Sequence, residues 1–335
     1  MRIAFDAMGG DFAPEAMVDG TLRAAREWPD TQFVLLGVED EVKPHLAGEL
    51  PTNVQLMAVT QHIETDEEPV KAIRRKKDSS IVRGCRMVKE GEADVFISAG
   101  NTGALMAAGL LVTGRLPGIE RPALAPIFPT LTQKGMLVLD VGANPEARPE
   151  HLEQYALMGS LYAEAVLGFE RPRVGLLNIG AEGGKGTTFT KEVYQRISAL
   201  PLNFIGNVEA RNVLNGDCDV LVCDGFSGNI LLKNTEGVAK AIFDRLKKEF
   251  TRNAITKLAA AILKPGLKRF ATEMDYKEHG GAPLLGLQGP VVKAHGSSDA
   301  RAVFNAVRQA RLYVEQQVIT RISDELNRLE GDEHR

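Results

Sequence analysis

Five glycine-rich segments, four of them at the ends of predicted strands, contain residue types suited to holding an anion. Glycine lets backbone amides approach a ligand closely, and a helix that begins after the turn adds partial positive charge. For any single segment a tight turn is the simpler interpretation, but five together favour a small anion held by several loops. The segments are residues 6–11, 98–103, 178–186, 224–229 and 295–299.

Familiar nucleotide fingerprints do not fit these segments. A Walker A loop ending at Lys185 would need glycine at position 179 and Ser or Thr at position 186, where the chain has Ile179 and Gly186. After the first predicted strand Gly9 and Gly10 are adjacent, so the G-x-G-x-x-G pattern of dinucleotide binding is missing. Residues 225–229 resemble a nucleophile elbow without its last glycine, so Ser227 is interpreted as a helix-capping or anion-contacting hydroxyl.

Metal and thiol chemistry are weakly supported. The six histidines are scattered without an H-E-x-x-H, C-x-x-C or EF-hand pattern, so we expect no metal site and no cofactor. Cys223 is interpreted as a small buried strand residue rather than a nucleophile. His295, beside Gly296, is the exception: its imidazole suits an anion contact or protonation of a leaving group, and a structural role is equally compatible.

Two basic regions lie outside the glycine-rich segments. Arg74, Arg75, Lys76 and Lys77 follow the acidic residues 64–68, which favours docking of an acidic protein or a phosphorylated ligand, or else a solvated helix face. Farther along, lysines and arginines surround one apolar helical face. This pattern is typical of a helix lying on an anionic membrane, or of a face packed on the core or on a partner helix. The apolar face comprises Ile255, Leu258, Ala259, Ile262 and Leu263.

The elements that must position these residues follow an alternating pattern. Short β-branched runs alternate with amphipathic stretches, which predicts an α/β fold, a three-layer αβα sandwich with a mainly parallel sheet. We expect a single large domain over residues 1–335, with a helical segment at about 228–270 that projects to contact a second subunit and that ends its helix near Pro265. Predicted strands are 2–5, 32–36, 54–58, 94–98, 123–128, 136–141, 173–179, 203–206 and 219–224. Predicted helices are 14–27, 79–90, 102–112, 150–167, 187–199, 228–263 and 299–328.

Composition excludes several classes of protein. Of the 335 residues 44% are hydrophobic and 25% charged, which is close to the globular average and argues against disorder. Forty basic against 44 acidic residues give a net charge of −4, so no nucleic-acid partner is expected. The three cysteines show no disulfide spacing, and no basic-then-apolar leader or long apolar run occurs. These features favour a cytoplasmic protein.

An ordered series of motifs resembles the bacterial phosphate acyltransferase family, PlsX. The motifs extend from Asp6 to about Ala310: DAMGGD at 6, AIRRKKDSS at 72, SAGNTGA at 98, LDVGAN at 139, RPEHL at 148, GNVEAR at 206, VCDGFSGN at 222, GGAPLLG at 280 and HGSSDA at 295. The resemblance implies transfer of a fatty acyl group from acyl carrier protein to inorganic phosphate, which yields acyl phosphate for phospholipid synthesis. It also implies a fold similar to those of isocitrate and isopropylmalate dehydrogenases and of phosphotransacetylases.

The same resemblance implies the partners. We expect a homodimer that associates peripherally with an anionic membrane surface through Leu258, Ile262 and Leu263, and the downstream glycerol-3-phosphate acyltransferase is a further expected partner. Arg74, Arg75, Lys76 and Lys77 are the predicted docking residues for the carrier protein.

Residue types and loop positions suggest how such a reaction would proceed. Asn101, Thr102 and Gly103 would hold phosphate together with Ser227 and Gly228. Positioning suffices for an activated thioester, so no covalent intermediate is expected. The roles of Asp6 and Asp11 stay open between orienting Lys185 and orienting a loop. The predicted catalytic residues are Lys185 to neutralise charge, His295 to protonate the departing thiolate, Asn229 beside the phosphate, and the backbone amides of Gly9 or Gly10 as oxyanion donors.

Three alternatives remain from the sequence. The first is an acyltransferase that uses acyl-coenzyme A, and no single residue of the sequence distinguishes it from an enzyme that uses acyl carrier protein. A membrane-attached scaffold without catalysis would have no need of five anion-ready segments. A metal-dependent hydroxy-acid dehydrogenase would need a cluster of aspartates that the motifs do not provide.

Overall fold

The computed structural model describes residues 1–46, 50–132, 135–273 and 280–333. Its strands are β1 (Arg2–Asp6), β2 (Gln32–Gly37), β3 (Val54–Ala58), β4 (Val95–Ser98), β5 (Ala123–Leu124), β6 (Ile127–Phe128), β7 (Met136–Leu139), β8 (Arg173–Asn178), β9 (Asn203–Glu209), β10 (Val220–Val222), β11 (Ala282–Leu285) and β12 (Val291–Lys293). Its helices are α1 (Glu15–Glu27), α2 (Glu39–Val42), α3 (Pro69–Arg75), α4 (Ser80–Lys89), α5 (Thr102–Ala108), α6 (Pro149–Leu167), α7 (Thr188–Ala199), α8 (Gly225–Phe250), α9 (Ala254–Glu273), α10 (Ala300–Glu315) and α11 (Val318–Glu333).

The strands form two sheets that are both mainly parallel. The seven-stranded sheet has the order β3-β2-β1-β4-β12-β11-β5, and in it β11 runs antiparallel to both its neighbours. The five-stranded sheet has the order β6-β7-β10-β8-β9, with only the β6–β7 pair antiparallel among the described pairings. The expected α/β class is confirmed, although the strands divide between two sheets.

Helices cover both faces of the seven-stranded sheet. On β1, Ile3 and Phe5 belong to one apolar cluster together with α1 and α10, whereas Ala4 between them belongs to a second cluster with α4 and α5. This alternation is what a strand buried on both sides produces. Leu137 of β7 and Val220 of β10 lie in the same cluster as Ile3, so the two sheets share a core. The three-layer αβα arrangement is confirmed.

Some predicted elements differ in extent. The single strand expected over residues 123–128 is divided between β5 and β6, which lie in different sheets. Pro126 separates the two pieces; without an N–H it cannot continue a ladder. The sequence analysis did not predict α2, α3, β11 or β12. The two strands have four and three residues, too few for a clear periodicity.

The long helix expected over residues 228–263 is two helices, α8 and α9, separated at residues 251–253. The prediction that Pro265 ends the second helix was wrong, because α9 continues through it to Glu273. Lys264, Pro265 and Gly266 are exposed, so water can solvate the backbone carbonyl that loses its partner when proline supplies no N–H. Within the described part of this segment the buried residues are Gly225 and Gly228, both in the first turn of α8.

Gly228 allows α8 to begin directly against the end of β7. A Cβ at this position would overlap the backbone oxygen of Asp140, whereas a Cβ at Gly237, farther along the same helix, would meet nothing within 4 Å. We therefore expect Gly228→Ala to lower the free energy of unfolding by about 2 kcal/mol, as overpacking does. Gly237→Ala should raise it by about 0.5–1 kcal/mol, because alanine favours the helix. Urea denaturation of both variants measures these changes. If the two variants change the free energy of unfolding equally, the close contact between residue 228 and Asp140 does not exclude a side chain there.

Candidate functional site

A cleft of about 460 Å³ opens where the adjacent strands β1, β4 and β12 end. The carboxyl ends of parallel strands are where ligands bind in open α/β sheets. Loops of the seven-stranded sheet supply much of its lining, and α8 supplies Asn229, Leu232, Lys233 and Glu236. The cleft is lined by Gly10, Asp11, Thr65, Ala99, Gly100, Asn101, Thr102, Gly103, Leu124, Pro126, Ile127, Val141, Asn229, Leu232, Lys233, Glu236, Gly280, Gly281, Ala282, Lys293, His295 and Gly296.

Lys293, the last residue of β12, is a buried lysine in the wall of this cleft. Its Nζ donates to the backbone oxygens of Ala99, at 3.1 Å, and of Ala294. An ammonium group has three donors, so one stays without a partner among the described residues. Burial lowers the pKa of Lys293 to about 8, and the nearby carboxylates of Asp6 and Asp11 oppose that change. The cleft wall therefore carries a cation at neutral pH.

Asp6 ends β1 and is the buried counter-charge of Lys293. Its carboxylate accepts hydrogen bonds from the Ser98 hydroxyl at 2.6 Å and from the Met8 backbone N–H at 3.0 Å. Burial raises the pKa of Asp6, while those hydrogen bonds and the charge of Lys293 act in the opposite direction. Ser98 in turn accepts the N–H of Gly100 at 3.0 Å. Asp6 therefore organises the loop after β4, which is one of the two roles that the sequence left open.

The first turn of α5 enters the cleft, and its cap is fully engaged. The Asn101 side-chain oxygen accepts the N–H of Ala104 at 3.0 Å. Its amide nitrogen donates to the backbone oxygens of Glu64, Thr65 and Glu67, at 3.0–3.2 Å. Asn101 thus attaches the acidic loop to the helix. The backbone amides of Thr102 and Gly103, at the start of the helix, have no acceptor within the helix. They are therefore available to an anion.

His295 follows Lys293 closely and lies at the same edge of the cleft. Its Nδ1 accepts the N–H of Ser297 at 3.2 Å, so the proton of the neutral ring belongs on Nε2. Nε2 lies 4.0 Å from Oε1 of Glu236, a residue of α8 that also lines the cleft. The imidazole is therefore oriented with its proton-bearing nitrogen toward α8.

The start of α8 brings only part of its predicted set to the cleft. Asp224 caps the helix: it accepts the N–H groups of Phe226 and Ser227, and the Ser227 hydroxyl donates to it at 2.8 Å. Neither Ser227 nor Gly228 lines the cleft, whereas Asn229 does. Cys223 is buried, and burial raises the pKa of its thiol well above the ordinary value, which fits the structural interpretation.

Two other predicted residues lie outside the cleft. Lys185 is exposed in the loop after β8, in the five-stranded sheet, and is absent from the described lining. Gly9 packs on the loop after β4, where a Cβ would overlap the backbone N of Gly100. Gly10 does line the cleft, with φ of +112°, a conformation that favours glycine. Lys293 was missed, although a lysine directly after the apolar pair Val291–Val292 is an unusual end for a buried strand.

The basic and apolar regions are placed on the surface. Arg74, Arg75 and Lys77 are exposed at the end of α3, whereas Lys76 donates to the carboxylate of Glu67 and to the backbone oxygen of His62. On α9 the predicted membrane residues are exposed by 67%, 75% and 52%, in the order Leu258, Ile262 and Leu263.

The described residues include no cluster of three or more His, Cys, Asp or Glu side chains that could hold a metal ion. Among the same residues no helix is long and apolar enough to cross a membrane.

Comparison with known proteins places the chain among close relatives. The model of the family described as "Fatty acid synthesis protein" matches residues 1–321. The chain is 57% identical over 318 residues to a phosphate acyltransferase of Brevibacillus brevis, covering 95% of each chain. It is 53% identical over 322 residues to a phosphate acyltransferase of an Exiguobacterium species, covering 96% of this chain and 98% of the relative.

Solved structures resemble this fold at low sequence identity. A phosphotransacetylase from Streptococcus pyogenes superposes with a TM-score of 0.62 at 18% identity, covering 94% of each chain. A phosphotransacetylase from Staphylococcus aureus gives a TM-score of 0.57, also at 18% identity, covering 93% of this chain and 94% of the other. The likeness supports the expected αβα architecture.

Proposed function

Since this chain belongs to the fatty acid synthesis protein family, we propose that it transfers a fatty acyl group from acyl carrier protein to inorganic phosphate. The resemblance inferred from its motifs is confirmed by the family match. Acyl transfer to phosphate is supported by the names of its close relatives. The carrier-protein donor and the use of the product in phospholipid synthesis are part of the proposal. The observation that carries it is the buried cation of Lys293 in a cleft beside unbonded helix-turn amides.

Phosphate binding in this proposal depends on Lys293 and the start of α5. The third ammonium donor of Lys293 and the amides of Thr102 and Gly103 converge on the anion, with Asn229 across the cleft. Asn101 supports them because its side-chain hydrogen bonds hold the turn in place, and it does not contact the phosphate itself. Charge-assisted hydrogen bonds in a partly desolvated wall are stronger than those in water.

The reaction then needs positioning more than activation. A phosphate oxygen attacks the thioester carbonyl carbon, a C–O bond forms, and the tetrahedral oxyanion accepts the backbone N–H of Gly10. The C–S bond breaks, and the electron pair leaves with the pantetheine sulfur. The imidazolium form of His295 gives its Nε2 proton to the sulfur, which makes the thiol, and the ring then takes up the proton that HPO4²⁻ loses as the acyl phosphate forms. The products are an acyl phosphate and free carrier protein, and no cofactor takes part.

The first test is incubation of the purified protein with palmitoyl carrier protein and inorganic phosphate. Free carrier thiol and acyl phosphate should appear in a 1:1 ratio, and palmitoyl-CoA should react at least tenfold more slowly. Lys293→Met should lower kcat/KM for phosphate by about 100-fold, because a donor that stabilises charge is lost. Lys191→Met is the control and should leave kcat/KM unchanged, because Lys191 is exposed on α7 and does not line the cleft.

Each outcome of this assay decides something. If folded protein forms neither product, the proposed reaction is contradicted. If palmitoyl-CoA reacts as fast as palmitoyl carrier protein, the preference for a carrier-protein donor is contradicted. Lys185→Met, assayed in parallel, tests the role expected from its sequence context: a loss equal to that of Lys293→Met would return Lys185 to the catalytic residues.

We propose that the carrier protein docks on the exposed basic residues at the end of α3 and directly after it. Arg75 and Lys77 are exposed, and acidic carrier proteins are attracted to such a patch over about one Debye length, ~8 Å at physiological salt. Lys76 is not included, because it is bonded to Glu67.

Charge reversal tests this docking surface. Arg75→Glu together with Lys77→Glu should raise KM for the acyl carrier protein about tenfold at low salt and leave kcat for acyl-pantetheine unchanged. Lys89→Glu with Lys191→Glu makes the same change in net charge at exposed positions that do not line the cleft. Equal effects of the two pairs, or no dependence on salt, would exclude docking at α3.

We also propose that α8 forms the contact with a second copy of the chain and that α9 contacts the membrane. Ile230, Val238 and Ile242 of α8 are exposed by 50–55%, and a second copy of the chain would cover them. Sedimentation equilibrium reports such a dimer directly. A downstream glycerol-3-phosphate acyltransferase would meet the dimer at the membrane.

The exposed apolar face of α9, with the lysines beside it, fits the interface of an anionic membrane. Leu258→Ser with Ile262→Ser should reduce flotation with phosphatidylglycerol vesicles at least fivefold. The matched pair Leu131→Ser with Ile179→Ser, 69% and 83% exposed elsewhere, should not. Unchanged flotation of the α9 variant would remove this face from membrane binding.

A further inference from the structure

A second cavity of about 360 Å³ lies beside α5, next to the cleft. Its size falls in the range of small-molecule sites, which is about 300–1,000 Å³. None of its described lining residues carries a negative charge, and Arg74 supplies a positive one. The cavity, called the α5 groove below, is lined by Pro69, Val70, Arg74, Thr102, Gly103, Met106, Ala107, Leu110, Leu111, Gly142 and Ala143.

The α5 groove is continuous with the proposed phosphate site. Thr102 and Gly103 line both cavities, and Val141 of the cleft is followed in the chain by Gly142 and Ala143 of the groove. A group that reacts at the first turn of α5 therefore lies at the entrance of the groove. Whatever is attached to that group can extend along the helix.

We propose that the α5 groove binds the hydrocarbon chain of the acyl donor, with the thioester carbonyl at the first turn of α5. This inference rests on the proposed function and names the subsite for its acyl group. A reaction that moves a fatty acyl group needs an apolar surface directly beside the reacting carbonyl, and the groove has that position.

The walls of the groove suit a linear, flexible hydrocarbon. Leu111 and Val70 expose 57% and 40% of their surface although both are apolar, so a chain lying over them would remove apolar surface from water. Each methylene buried in this way strengthens binding by about fourfold. Met106 contributes an unbranched side chain that adapts to irregular contacts. Residues Gly109–Thr113 form a π-helical turn, an irregularity frequent at functional sites, and this turn presents Leu110 and Leu111.

Chain-length dependence tests the groove. Leu111 is nine residues beyond Thr102, about 13 Å along a helix axis, which a four-carbon chain does not reach. Leu111→Asp should therefore lower kcat/KM for palmitoyl-pantetheine at least tenfold and that for butyryl-pantetheine less than twofold. Leu111→Ser, a milder change, should act in the same direction. Leu131→Asp is the control, because Leu131 is 69% exposed and lines neither cavity.

The outcomes separate this inference from the function on which it rests. Wild-type protein that makes acyl phosphate, combined with losses equal for the two chain lengths, would overturn the groove and leave the function standing. The same is true if Leu131→Asp matches Leu111→Asp. Wild-type protein that makes no acyl phosphate from any donor would overturn both. Donors without carrier protein are used so that docking of a protein partner does not enter the comparison.

Discussion

Buried carboxylates at strand ends are the constraint on which the rest of the structure depends. Asp6 lies at the end of β1 and Asp140 directly after β7, and both are buried. An isolated buried carboxylate is costly, so each must be surrounded by donors. Asp140 accepts the backbone N–H groups of Leu124, Ala143 and Asn144 at 2.6–3.0 Å. The loops at the site are held in shape by these bonds, one set in each sheet.

Lys293 follows from the same constraint. It stands opposite Ser98 in the parallel register of β12 and β4, and Ser98 donates to Asp6. The ammonium group therefore offsets the buried charge while itself losing hydration. Because its pKa in the folded protein is about 8, below the ordinary value of 10.5, the unfolded chain binds more protons between those values. This lysine therefore costs stability at neutral pH, a cost that fades as pH rises from about 8 to 10.5. A bound phosphate would add a second counter-charge beside that of Asp6.

Much of the architecture could be predicted from the sequence, because runs such as residues 32–36 and 173–179 are apolar enough to identify buried parallel strands. Two of the glycine-rich segments singled out in the sequence, residues 98–103 and 295–299, supply part of the cleft lining, although the strand before residue 295 was not predicted. The hydrogen-bond partners of polar side chains could not be predicted from the sequence. The side-chain amide of Asn101 and the hydroxyl of Ser227 are of types that bind phosphate, but in the structure they bond to neighbouring residues. Lys293 was missed for a related reason, since its importance depends on burial beside Asp6, 287 positions away in the numbering.

The central claim is that Lys293 presents a partly desolvated cation to phosphate. Its titration can be followed by NMR of isotope-labelled lysine side chains, with Lys293→Met used to assign the signal. The account predicts a pKa near 8 in the free protein, since burial disfavours the charged form, and a rise when inorganic phosphate is added, since the anion favours it. A pKa near 10.5 in the free protein, or a value that phosphate leaves unchanged, would contradict the account.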